Sequence, residues 1–98
     1  MGDIRRINEM EAILDECRMA LNDLEQSLDS LDEVKEKMGR LFAYYGSAEW
    51  YEDRELELPP EVKAGVLSED LIYDEITDAR DASLRMLELA TDILKNRI

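Results

Sequence analysis

The 98-residue chain carries 25 acidic and 12 basic residues, a formal net charge of -13, with no histidine and a single cysteine. Phosphate backbones and anionic lipid headgroups repel such a chain, so direct nucleic-acid binding and membrane-surface binding are disfavoured. The missing histidine removes the commonest general base and transition-metal ligand, and one cysteine excludes an intramolecular disulfide.

Residues 98 in number suit one small domain, short of surface to bury if it is built from a few long helices, so association with a second copy is expected. No stretch approaches the roughly 20 apolar residues that a membrane span needs, and Met1 to Arg6 lead into an amphipathic pattern rather than an apolar signal run. The expectation is a soluble cytoplasmic protein.

In chain order, the first element is a long helix over about residues 3–45. Ile7, Met10, Leu14, Cys17, Leu21, Leu24, Leu28, Leu31, Met38, Phe42 and Tyr45 recur at alternating spacings of three and four, a coiled-coil-like seam interrupted only by Lys35. No proline falls within it, so one continuous helix of about 60 Å is feasible, with a bend or register shift expected at Lys35 and Gly39. Cys17 occupies a seam position and reads as a small core hydrophobe rather than a redox group.

A connector of residues 46–67 follows. Gly46 suits a left-handed helix end, and Ser47 suits the cap of a short turn holding Glu49, Trp50, Tyr51 and Glu52. Pro59-Pro60 enforces an extended entry, and residues 61–64 are expected to form one helical turn that starts at Pro60 and ends at Gly65. Residues 46–70 hold eight acids and two bases, so this quarter of the chain carries -6 of the charge. A connector this long in a small domain is usually functional or packed against something.

The second long helix is expected over about residues 69–97. Ser68 is its cap, Glu69 and Asp70 place negative charge in the first turn, and Leu67 is positioned to staple onto Ile72. Ile76, Ala79, Ser83, Met86, Ala90 and Ile93 continue an apolar repeat, in which Ala79, Ala82, Ser83 and Ala90 permit close approach of a neighbour. Lys95 and Arg97 suit the C-terminal end. The predicted fold is therefore all-α: two long amphipathic helices in an antiparallel hairpin, joined by an ordered aromatic and acidic connector with short helical turns, and completed as a bundle by dimerisation.

Several blocks resemble a known family. Arg6-Ile7-Asn8-Glu9-Met10-Glu11, then Tyr44-Tyr45-Gly46-Ser47 with Trp50 and Asp53, then Leu58-Pro59, then Gly65-Val66-Leu67-Ser68-Glu69-Asp70 together resemble the bacterial proteins grouped as domain of unknown function 4298. The resemblance spans nearly the whole chain. It implies a small, mostly helical bacterial protein and brings with it no activity, cofactor or catalytic residue.

All six aromatic residues, Phe42, Tyr44, Tyr45, Trp50, Tyr51 and Tyr73, lie between positions 42 and 73. Tryptophan and tyrosine are common interface anchors, so Tyr44, Trp50, Tyr51 and Asp53 are the candidate partner-binding residues. The competing reading is an aromatic cap that pins the connector to the helices, with Phe42, Tyr45 and Tyr73 as helix-end packing. Exposure of Trp50 separates the two. Arg80 is expected to pair with Asp53 or Asp70 and tie the connector down.

Three functional classes remain open from the residues. A non-enzymatic module that binds another protein uses both the aromatics and the charge. A Mg²⁺-dependent hydrolase of nucleotide-like substrates would draw on Glu33, Glu36, Glu49, Glu52, Asp53, Glu69, Asp70, Asp74, Glu75, Asp78 and Asp81, since hard cations need only oxygen ligands. An acidic mimic of nucleic acid would use charge alone. The first is favoured, with no catalytic residue, metal ligand or cofactor assigned and a homodimer plus an unknown protein as the expected partners.

Overall fold

The computed structural model describes residues 1–97, without the side chain of Arg97. The expected role of that side chain at the helix end lies outside the described residues. Three α-helices, α1 (Ile4–Tyr44), α2 (Ala48–Arg54) and α3 (Glu69–Arg97), and a 3-10 turn at Gly65–Leu67 make up the regular structure. The chain is all-helical, with no strand among the described residues.

Two compact units divide the chain, Met1–Met38 and Gly39–Ile98. From Ile4 onward the first is helix alone. Its start is fixed locally: the Asp3 carboxylate accepts the Arg5 N–H at 2.9 Å, satisfying one of the donors that a helix leaves unpaired, and the Asp3 carbonyl accepts from Ile7. The helix runs unbroken through Lys35 and Gly39, where Lys35 pairs with Asp32 one turn earlier at 2.6 Å. No residue of α1 is buried, and the seam from Ile7 to Leu31 faces water. Cys17, expected in a core, is exposed with it.

The second unit holds the last turn of α1, the connector and α3. Gly46 ends α1 with φ of 77°, a conformation in which a Cβ would meet the following carbonyl and which glycine alone adopts freely. Ser47 then takes an extended conformation, and its Oγ accepts the Trp50 N–H at 3.2 Å, which starts α2. After α2 the backbone closes one turn in which Val62 N–H reaches the Pro59 carbonyl at 3.0 Å, with Pro60 at the position where its fixed φ suits a turn. The helical turn expected over residues 61–64 is displaced. Ala64 leaves helical geometry at φ -122°, and the 3-10 turn opens at Gly65 instead of ending there.

Ser68 caps α3 from an extended conformation, its Oγ accepting the Leu71 N–H at 3.4 Å, and Glu69 and Asp70 occupy the first turn where the helix dipole favours negative charge. The 3-10 turn packs against α3 and also touches α2. Among the described residues the buried apolar ones are Trp50 and Ile72, so the core of this unit is a small cap at the junction of three elements.

Two glycine substitutions test this description with opposite signs. Gly46→Ala forces a side chain into the left-handed region and is expected to cost about 1 kcal/mol. Gly39→Ala, inside α1 with no heavy atom within 4 Å of a built Cβ, is expected to gain up to about 1 kcal/mol. Urea denaturation of both variants checks the pair, and a neutral Gly46→Ala would contradict the left-handed helix end.

Candidate functional site

Trp50 organises the second unit. It sits one turn into α2, held there by the Ser47 cap, and is 1% exposed. A buried indole leaves its N–H in need of an acceptor, because an unpaired donor in a low-dielectric interior carries its full desolvation cost. Trp50 Nε1 donates to the Val66 carbonyl at 2.9 Å, across 16 residues of chain. That bond ties the far end of the connector to its near end.

The ring is enclosed on several sides. Tyr45 meets it edge-on with centroids 5.1 Å apart and planes at 79°, and Tyr51 does so at 5.0 Å and 76°, the arrangement that the aromatic quadrupole prefers. The Arg54 guanidinium lies 4.6 Å from the ring centroid, one helical turn beyond Trp50, where the negative face of the ring attracts it. Arg54 Nη1 also reaches Glu69 Oε1 at 3.5 Å, a pair between partly exposed side chains that contributes little by itself but points α2 toward the start of α3.

Tyr44 and Asp53 form a second tie. The phenol donates to Asp53 Oδ2 at 2.6 Å, linking the last residue of α1 to α2. The hydrogen bond to the carboxylate pushes the Tyr44 pKa up to about 12 from 10.0, assisted by partial desolvation and by the negative charges of Asp53 and Glu49. The neutral phenol is the donor, so the stability that the tie contributes is fully present below pH 10.0 and is lost as pH rises through about 12, where the folded phenol ionises.

The four residues singled out in the sequence therefore converge on one place with different roles. Trp50 is core, and its indole offers no open face. Tyr44 and Asp53 are half-buried and bonded to each other, and Tyr51 keeps 57% of its surface in water. Phe42 and Tyr45 are half-buried, as helix-end packing requires, whereas Tyr73 is 61% exposed and is not part of that packing. Arg80 makes no ion pair among the described residues; Arg54 takes the role expected of it, and Asp53 is occupied by Tyr44. Arg54 was legible as a residue four beyond Trp50 on one helix, but the Val66 carbonyl, a backbone atom, leaves no mark in a sequence.

Among the described residues no group of three or more cysteine and carboxylate side chains is placed to hold a metal ion. No described helix is long and apolar enough to cross a membrane. The cap is thus an aromatic knot in which Tyr51 and Val66 touch Trp50 and keep exposed surface, and Leu56 and Val62 of the connector are exposed as well.

The family model described as Domain of unknown function (DUF4298) matches residues 7–89. The chain belongs to that family. The match takes in the entire Trp50 knot, from Tyr44 through Val66, and most of both long helices. The comparison with curated proteins gave no match for this DUF4298 chain.

Two measurements follow from the geometry. Trp50→Ala empties the core of the second unit and is expected to cost about 3–5 kcal/mol, with rapid proteolysis at Lys63 in the connector, while Trp50→Phe keeps most of the packing and frees only Val66. In an ultraviolet titration the Tyr44 phenol should ionise late, near pH 12, and Asp53→Asn should bring it back toward 10.0; a titration curve that Asp53→Asn leaves unchanged would rule out the Tyr44–Asp53 bond.

Proposed function

We propose that the protein is a non-enzymatic protein–protein interaction module whose connector end contacts a partner protein. The observation that supports this most is the combination of an ordered connector with outward apolar side chains. Trp50 uses its N–H to fix the backbone at Val66 and packs against Tyr51, and both of these residues remain exposed, as do Leu56 and Val62 on the chain between them. A surface ordered before binding loses less conformational entropy on association, which is the physical advantage of fixing a loop rather than leaving it free. Tyrosine offers large contact area with few rotatable bonds, so Tyr51 is the expected anchor, with Asp53 and Tyr44 acting behind it to hold α2 on the end of α1.

Self-association belongs to the same reading. The long apolar seam of α1 is in water in the single chain, and a bundle completed by a second copy would cover it.

Affinity capture from the native host with wild type beside Tyr51→Ala tests the connector surface. Proteins retained by the wild type should fall by about tenfold or more with Tyr51→Ala, and the loss should persist at raised salt, since an apolar anchor is not screened. Equal recovery by both forms at unchanged helicity would overturn the reading, as would capture abolished by salt alone, which is the behaviour of an acidic nucleic-acid mimic.

A further inference from the structure

The seam of α1 supplies more than exposed area. Taking Ile7, Leu14, Leu21 and Leu28 as the first apolar position of each heptad and Met10, Cys17, Leu24 and Leu31 as the second, four heptads run without interruption and stop at Lys35. Ile13 and Val34 widen the stripe on one side, at the position that precedes each first apolar residue, and Ala20 and Ser27 fill the same row. On the other flank, in the row that follows each second apolar residue, stand Glu11, Arg18, Glu25 and Asp32. Every one of these side chains is exposed.

We propose that a second copy of this chain covers the α1 seam from Ile7 to Val34 as a parallel, in-register coiled coil. This rests on the self-association part of the reading above and is independent of the connector surface.

The area is of the right size. Ile7, Met10, Ile13, Leu14, Leu21, Leu24, Leu28, Leu31 and Val34 are between 38% and 57% exposed, so covering them on two copies removes on the order of 1,500 Å², the size of a standard specific interface. Nothing smaller than a helix of matching length covers a straight stripe of four heptads, and a second α1 presents the same stripe at the same repeat.

Charge selects the orientation. In a parallel pair the row before each first apolar position faces the charged row of the partner, so Arg6 meets Glu11 while Ile13, Ala20 and Ser27 meet Arg18, Glu25 and Asp32. No two carboxylates then oppose each other across the seam. An antiparallel pair sets the charged rows against each other and, when the two seams are centred, brings Glu11 against Glu25 twice and Arg18 against its own copy. Register is fixed by Lys35. In register it faces its own copy at the end of the seam, where each ammonium is paired with its own Asp32 and reaches water, and a slip by one heptad would push it among leucines.

Sedimentation equilibrium of the full chain and thiol cross-linking test the proposal together. Wild type should be a dimer at micromolar concentration, and Leu24→Glu should weaken association by about 100-fold or more. Met19→Glu, which changes an exposed methionine on the opposite side of the helix, should leave the mass unchanged. Cys17 faces its own copy in the parallel, in-register pair, so a short bis-maleimide should join two wild-type chains and fail with Cys17→Ser. A monomer in every form, a trimer or tetramer, a dimer that survives Leu24→Glu, or a dimer that Cys17 does not cross-link would each overturn it. Loss of dimer with intact partner capture would leave the connector reading standing, and the reverse result would leave this one standing.

Discussion

The hydrogen bond from the Trp50 indole to the Val66 carbonyl is the constraint on which the second unit depends. A tryptophan buried to 1% exposure gains more from leaving water than any other single residue of the unit, but only if its N–H finds an acceptor in the interior. The acceptor is a backbone atom on the far side of two prolines, so satisfying the indole fixes where the connector must return. The loop between α2 and α3 is ordered for this reason and not through regular structure of its own, which amounts to one turn at Pro59–Val62 and the 3-10 turn at Gly65–Leu67.

Around that bond the remaining contacts act as positioning devices of smaller individual weight. Gly46 and Ser47 end α1 and start α2 so that Trp50 lies buried, Tyr44 and Asp53 tie α2 to the end of α1, and Arg54 spans the indole and Glu69. Each is worth little alone in water, but each acts on a group whose place is already set by the buried ring. The price of the arrangement is a very small core: among the described residues Trp50 and Ile72 are the buried apolar ones, and the seam of α1 and much of α3 keep their apolar side chains in solvent. The packing of the second unit thus goes into ordering its connector, and the long seam of α1 is left exposed.

Helix caps were legible in the sequence because they are local. Gly46, Ser47 and Ser68 act on backbone groups within three residues, and the structure places all three as their chemistry requires. The long apolar repeats likewise mark α1 and α3 to within a residue or so, since helical period is a property of the chain itself. What was not legible involves choice among distant partners. Arg54 and Arg80 carry the same group, and only the fold decides that Arg54, already one turn from Trp50, reaches Glu69. Residues 61–64 have helix-compatible composition, yet the demand that Val66 reach the indole shifts the regular turn to Gly65. Cys17 reads as core by its place in the repeat, but a repeat shows which face is apolar and says nothing of what covers it.

The indole N–H of Trp50 reports on the central bond directly. Followed by proton-detected NMR in deuterium exchange, it should persist far longer than a free indole and disappear together with the Val66-side amides of Leu67 and Ser68, whose own hydrogen bonds close the 3-10 turn. Exchange of that proton at the rate of free tryptophan, in a chain whose helices remain folded, would contradict the account.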